Sequence, residues 1–483
     1  MNTTIGIDVA TAGVRAVAVS DGGALLTAAS APLPAPVRDG DGRSEQDAAS
    51  WWTAVESALG QVTSALPGRG AEVTAVAVAA TSGTIVAVDD AGEPLGPALM
   101  YDDRRGASYN ADAAEIGASR WAALGRSVTP TDALGRIAWL HDTVPGAAGI
   151  RHTADLIGAE LTGAPVALDW SHALKSGYDA LAGEWPGEVF DRLGVPPDWL
   201  PHVVRPATVL GEVTSPVAGL PAGCRVVAGM TDGCAGQLAT GAVSPGEFVG
   251  ILGTTYVLKG VTQRLVTDPG GTLYSHRHPD GWWLPGGASN TGGECVAGVA
   301  GLARLDEAAA ERGPAEIVAY PLCREGERFP FAVPGAHGFS EPAADEVELH
   351  RARLEGVAFL ERLALDHLRR LGVEIAAPLF TAGGGSRSPL WNRIRATVTG
   401  LGLRVSPHGE TGYGAALLAA AATLPGGLTE AGRWGRAEAG LVEPDAAEAD
   451  ALTASYHRFC TRLHEREWID DELYAAAGNS PVG

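Results

Sequence analysis

Alternation of apolar and polar positions opens the chain. IGIDVA, VRAVAVS and ALLTAAS read as a three-stranded meander, Asp47 to Leu66 as a helix, and VTAVAVAA and TIVAVDD as further strands. A similar order returns in the second half, where EFVGILG, TYVLKGV, LYSHRH and GWWLPGG form a β series. A long amphipathic helix follows, with Leu354, Val357, Ala358, Leu365 and Leu368 on one face at helical spacing. PLFTAGGG reads as a strand running into a glycine turn, and Ser388-Pro389 as an N-cap with Pro at the first helical position. The strand LRVSP then precedes a Gly/Ala-rich helix from Gly412 to about Leu424. Between Ala107 and Leu220, helical stretches and the irregular segment LDWSHALKSGYDALAGEWP are expected to form an inserted lobe that shapes specificity.

The pattern is that of an α/β protein, and 483 residues exceed what one core usually fills. Two domains are expected, 1–242 and 243–483, with a substrate in the cleft between them. A net charge of -22 opposes nucleic acid and anionic membranes as partners. The five cysteines are too scattered for a zinc pattern and too few to staple this length, and none of the twelve histidines forms a metal-ligand pair at helical spacing. Reduced thiols, an opening that runs directly into a strand, and no apolar run approaching the ~18 residues that span a bilayer point to a cytoplasmic protein. Monomer and homodimer are both compatible with the sequence.

Candidate chemistry centres on GMTDGCAGQLATGAVSPGEFVGILGTTYVLKGV. Asp232 stands at a helix start, where an N-cap and a general base are both open readings. Gly253, Thr254 and Thr255 form a turn between strands whose N–H groups and hydroxyls suit a phosphate. The opening hairpin echoes this layout, with Asp8 ending a strand and Thr11 and Gly13 in its turn. Gly383, Gly384, Gly385 and Ser386 lie between a strand and a helix, where missing side chains let backbone approach a base or ribose, and Asn392 is placed to add a hydrogen bond. No Walker A sequence is present, and Lys175 and Lys259 are the only lysines.

Taken in order, IGIDVATAGVRAVAV, SEQDAASWW, MYDDRRG, GMTDGCAGQLATG, GILGTTYVLKG, FTAGGGSRSPLWNRI and ETGYGAA resemble the FGGY carbohydrate kinases over nearly the whole chain. The resemblance implies two actin-like, ribonuclease H-like domains of the sugar kinase/heat-shock/actin superfamily, and ATP-dependent phosphorylation of a sugar hydroxyl with Mg²⁺. Within the family, LDWSHALKSGY, LYSHRHPDGWWLPGGASNTGG and YPLCREGERFP are most similar to the D-ribulose kinase branch, with D-xylulose or a polyol as the alternative acceptor.

On that resemblance Asp232 is the catalytic base, and Asp8 is the Mg²⁺ partner beside the substrate. Thr11, Gly13, Arg15, Gly253, Thr254 and Thr255 bind phosphate. Gly383 to Ser386 and Asn392 bind adenosine, with Gly287, Ser289 and Asn290 as secondary contacts. Tyr101, Asp103 and Arg105 contact the sugar; Thr81, Ser82 and Thr84 either line the same cleft or are strand residues satisfying local backbone groups, and His172 and Lys175 lie in the lobe, where a sugar contact is an open reading. Asp47 is expected to cap the helix carrying Trp51 and Trp52. Gly414 to Ala416 read as close helix packing and Thr397 as surface variation. Ala10 and Ala12 depart from the family's first phosphate loop, because a Cβ at position 10 restricts φ > 0. That departure raises a turnover-deficient sugar- or nucleotide-binding regulator as a second reading. A chaperone or filament relative is a third, opposed by the inserted lobe.

Overall fold

The computed structural model describes residues 2–342, 344–436 and 439–479. The chain forms two compact units, but not by the single cut expected at 242. The first comprises Met1–Gly241, His276–Gly281 and His408–Ala437; the second comprises Ala242–Ser275, Trp282–Pro407 and Glu438–Gly483. The helix Thr411–Ala421 returns to the first unit because its small side chains fit against the strands Thr3–Ala10 and Val73–Ala80.

In the first unit the sheet runs, edge to edge, Val209–Glu212, Arg225–Val227, Val73–Ala80, Thr3–Ala10, Gly13–Ser20 and Leu25–Pro32. The opening strands form an antiparallel meander, whereas Thr3–Ala10, Val73–Ala80 and Arg225–Val227 are parallel neighbours. Side chains alternate across the sheet. Ile5, Ile7 and Val9 pack with Trp51, Val55, Leu59 and Val62 of the helix Ala49–Ala65. Gly6 faces the opposite helix, Thr411–Ala421, and Asp8 shares its face by the same alternation. Both faces are covered, which explains why the strand Val73–Ala80 is a nearly unbroken apolar run.

The second unit repeats the order. Trp283–Ala288, Tyr256–Gly260, Phe248–Leu252, Leu379–Ala382 and Leu403–Val405 are successive neighbours, with Tyr274–Arg277 and Gly440–Val442 at the edges. Its long helix, Glu346–Arg370, buries Leu354, Val357, Ala358, Leu365 and Leu368 as the periodicity requires. Arg395 and Glu361 form a buried ion pair at 2.6 Å. Arg395 also donates to Thr381 Oγ1 at 2.7 Å and Gly250 O at 3.3 Å, and Tyr256 OH donates to Glu361 at 3.1 Å. One guanidinium thus ties two helices to adjacent strands, and its charge is compensated where burial would otherwise be costly.

Local signals hold where the partners are local. Ser388 Oγ accepts from Trp391 N at 3.1 Å and caps a helix with Pro389 at its first position. Asp47, expected to cap the helix carrying Trp51 and Trp52, stands one residue before the N-cap Ala48, with Oδ1 accepting from Ala49 N at 3.1 Å. Thr397, expected at the surface, is buried, and its hydroxyl accepts from Asp445 N at 2.9 Å. Among the described residues no helix is long and apolar enough to cross a membrane.

The Thr411–Ala421 helix sets a sharp packing limit. A Cβ on Gly414 would stand 1.8 Å from Ala235 O. Gly414→Val is expected to lower stability by at least roughly 2 to 3 kcal/mol. Gly60→Ala, in a helix position with open space around it, is expected to be neutral or stabilising by up to about 1 kcal/mol. Urea midpoints measure both; equal midpoints for Gly414→Val and the unmodified chain would contradict the packing account.

Candidate active site

The carboxyl ends of the three parallel strands in the first unit gather the candidate chemistry, which is where ligands bind in open α/β sheets. Asp8 lies two residues before the end of its strand rather than closing it, directly across from Arg15. Ser82 follows the central strand, and Asp232 follows Arg225–Val227 through a bridge that pairs Thr231 with Ala80. Thr231 occupies the N-cap position, so Asp232 is the first residue inside its helix, with Oδ1 accepting from Gly233 N at 2.6 Å.

Asp8 is pushed up to about 7, chiefly by burial and next by the neighbouring Asp232 carboxylate; Arg15 opposes the rise and Glu410 adds to it. Arg15 is itself paired with Glu410 at 2.7 Å. Asp8 Oδ1 is buried without a hydrogen-bond partner. A buried carboxylate oxygen with no donor, near a second carboxylate, fits an oxygen-seeking divalent cation such as Mg²⁺. Among the described residues, no cluster of three or more His, Cys, Asp or Glu side chains forms another metal site.

Thr11 and Ala12 make the two-residue turn of the opening hairpin, and Gly13 already belongs to the second strand. Among the described non-glycine residues, positive φ occurs at Arg69, Ala207, Ala218 and Glu467. Ala10 is therefore unstrained, paired with Gly13 in the ladder, and the backbone penalty expected there is absent.

Position 232 has a support that the sequence did not reveal. Ser171 Oγ accepts from Thr231 N at 3.0 Å and donates to Asp169 Oδ1 at 2.5 Å. Asp169 Oδ2 bonds His172 Nδ1, whose ring reaches Ala80 O at 3.3 Å. Burial disfavours both charges, yet each partner outweighs it: Asp169 is held below the ordinary carboxylate range and His172 above the ordinary imidazole range. His172 is thus fully buried and offers no surface to a sugar. The Asp-x-Ser spacing signals a local turn; its target, 60 residues away, has no local signature.

The Tyr-x-Asp-x-Arg segment also departs from expectation. Asp103 is fully buried, accepting from Ser44 N at 2.8 Å and from the Arg105 backbone and guanidinium. Arg105 bridges Asp103 and Glu45 and stacks 4.4 Å from the Trp139 ring centroid. Both are committed to each other, because opposite charges brought together under partial burial satisfy one another. Tyr101 alone in this segment's trio is exposed, at 41 %. Thr84 is buried and shares a 2.8 Å hydrogen bond with Thr81, whereas Ser82 Oγ is buried without a partner. Lys175 is half-buried, its Cβ near Gly83.

In the second unit a cavity of about 670 Å³ has apolar walls from Val296, Leu302, Leu354 and Trp391 and backbone from Gly253, Gly384 and Gly385. This size suits a nucleotide-sized ligand. Gly383 takes a positive φ, and a Cβ there would meet Leu252 O at 2.5 Å; a Cβ on Gly385 would meet the Leu252 side chain. Gly384 faces open space. Ser386 and Asn392 turn inward: Ser386 Oγ donates to Gly383 O, and Asn392 Nδ2 donates to Ser386 O, each at 2.7 Å. They brace the loop rather than offering their donors to a ligand. Thr254 is exposed and Thr255 half-buried, while Gly253 O and Thr254 O accept from Gly293 N and Glu294 N. Gly287 owes its identity to packing, since a Cβ would stand 2.2 Å from the Phe329 ring, and Asn290 Nδ2 is committed to Gly326 O at 2.9 Å.

The Asp8 environment predicts a pH signature in metal-free protein. A carboxyl raised from 3.8 to about 7 weakens the fold progressively as pH rises from about 4, and the penalty levels off above about 7. Asp8→Asn removes that charge, so it is expected to stabilise by roughly 1 to 3 kcal/mol at pH 8, with the gain shrinking as pH falls below 7. Thermal unfolding across pH measures this; a pH-independent difference would contradict the assignment of strain to the ionised form.

Residues 3–239 match the model of the FGGY family of carbohydrate kinases, N-terminal domain, and residues 246–423 match its C-terminal domain. The chain is 31 % identical over 464 residues to the xylulose kinase of Streptomyces coelicolor, covering 93 % of this chain and 94 % of the relative. It is 27 % identical over 450 residues to the xylulose kinase of Escherichia coli, covering 87 % and 90 %. The crystal structure of xylulose kinase from Rhodospirillum rubrum superposes with a TM-score of 0.84 at 26 % identity, covering 96 % of this chain and 99 % of that one. Plasmodium falciparum glycerol kinase with ADP shares the fold, with a TM-score of 0.82 at 16 % identity over 97 % and 99 %. The two-unit α/β fold is that of sugar kinases, and the chain belongs to the FGGY family of carbohydrate kinases.

Proposed function

We propose that this kinase transfers the γ-phosphoryl group of ATP to the terminal 5-hydroxyl of a ketopentose. The observation that carries the reading is the pair Asp8 and Asp232 at the carboxyl ends of parallel strands, with one oxygen of Asp8 buried and unpartnered. Asp232 accepts the hydroxyl proton as the sugar oxygen forms its bond to phosphorus and the bond to the ADP oxygen breaks. Products are ADP and the sugar 5-phosphate; the proton leaves Asp232 for solvent, to which that residue is partly open. Asp8 would hold Mg²⁺, which when bound neutralises phosphate charge. In the first unit Arg15 is a phosphate contact and Ser82 and Tyr101 are the sugar contacts left available; in the second, the Gly253–Thr255 turn is a phosphate contact and the glycine-lined cavity holds adenosine.

Two acceptors have specific support. The stretches LDWSHALKSGY and YPLCREGERFP favour D-ribulose, the reading preferred here. The names of the relatives at 31 % identity favour D-xylulose, its epimer. The regulator reading loses its main support with an unstrained Ala10. Use of ATP implies a cytoplasmic setting.

ADP release with ATP, Mg²⁺ and D-ribulose, D-xylulose, L-ribulose, ribitol or no sugar tests the proposal. The expected result is turnover with kcat/KM for D-ribulose at least about tenfold above D-xylulose, a margin within reach of one hydrogen-bonding hydroxyl. The reverse order would establish D-xylulose as acceptor, and release that is independent of any ketopentose would overturn the ketopentose reading.

A further inference from the structure

The stretch YPLCREGERFP contributes a buried carboxylate, Glu327, that no role described so far absorbs. Among the described residues no basic side chain pairs with it; five neutral donors surround it instead. Oε2 accepts from Ser289 Oγ at 2.8 Å, Thr291 Oγ1 at 2.9 Å and Tyr320 OH at 2.8 Å. Oε1 accepts from the backbone N–H of Asn290 at 2.6 Å and of Arg328 at 2.9 Å. A buried anion is tolerated only when so surrounded, and an apolar residue would avoid the desolvation altogether. Its distinctive property is to accept everywhere and donate nowhere, which fixes the direction of every hydrogen bond around it.

Three of those donors are consecutive, Ser289 to Thr291, and the next residues touch the phosphate turn. Thr291 O accepts from Tyr256 N at 2.8 Å, Gly293 N donates to Gly253 O at 2.9 Å, and Glu294 N donates to Thr254 O at 3.0 Å. The fit is close: a Cβ on Gly292 would stand 2.5 Å from Thr255 Cα, and one on Gly293 would stand 2.5 Å from Gly253 O. Gly253, Thr254, Gly293 and Glu294 also line the 670 Å³ cavity.

We propose that Glu327 is a positioning residue for nucleotide binding: it locks segment 289–294 against Gly253–Thr255, so that the turn is already shaped for phosphate when the nucleotide arrives. This rests on the reading of the cavity as the nucleotide site. Pre-shaping lowers the ordering cost of binding and leaves the sugar side untouched.

The test compares wild type, Glu327→Ala and Glu327→Gln by calorimetry with Mg·ADP, by KM for ATP and for the ketopentose, and by thermal unfolding. Glu327→Ala is expected to weaken Mg·ADP binding and raise KM for ATP at least about tenfold, with KM for the sugar changed less than about twofold. Glu327→Gln should fall between, because its carbonyl can serve the two fixed backbone N–H groups while its amide, with two N–H donors, can satisfy at most two of the three hydroxyls. Should the Ala variant fail to fold, the Gln variant decides by the same split. Unchanged nucleotide affinity in both variants, or equal rises in both KM values with a lowered Tm, would overturn the positioning role. Wild type that binds no Mg·ADP would overturn the nucleotide reading itself, and the positioning role with it.

Discussion

Backbone meets backbone where the helix Thr411–Ala421 lies on the first sheet, and the arrangement of the carboxylates depends on that contact. A Cβ on Gly6 would stand 1.9 Å from Gly412 O, and one on Gly414 would stand 1.8 Å from Ala235 O. Only hydrogen fits at these positions, so the helix sits closer to strand Thr3–Ala10 and helix Asp232–Ala239 than side chains would allow. Ala79, Ala235 and Ala415 complete the same seam with the smallest available apolar groups. Asp8 projects from the strand on one side of this seam, Asp232 begins the helix on the other, and Glu410 precedes the packed helix.

That closeness has an electrostatic consequence. Buried Asp8 feels the nearby Asp232 carboxylate, and the guanidinium that opposes this, Arg15, is already paired to Glu410. Such an arrangement opposes stability and is tolerated where function needs it. Polar bracing holds the strained parts in place: Ser171 and Asp169 steady Thr231 in the first unit, and Ser386 and Asn392 steady the glycine loop in the second. Under the proposed function, the residues left to touch ligand and those that hold them in place are distinct sets, although both are polar and both occur in recognisable motifs.

This distinction marks where sequence reasoning ends. Strand order, the long helix face and the Ser388-Pro389 cap were legible because their determinants lie within a few residues of one another. The helix return at 411–421 was not, since the small residues that demand it are answered by Gly6 and Ala235 far away in the chain. Asp103 and Arg105 looked like sugar ligands because residue type alone cannot say that Ser44, Glu45 and Trp139 already satisfy them. Asn290 and Asn392, expected at the nucleotide, each give a side-chain N–H to a backbone carbonyl, of Gly326 and of Ser386, that no motif announces. Asp8 and Asp232 stood out in sequence, and the effect of Asp232 on Asp8 emerges only from the fold.

The most direct measurement of the central claim is single-turnover phosphoryl transfer by Asp232→Asn against wild type, with nucleotide and sugar affinities measured alongside. The account predicts a loss of at least about 100-fold in the chemical step, the scale of a removed general base, with both affinities within a few-fold of wild type. Undiminished transfer in the variant would contradict it and assign the proton to another acceptor.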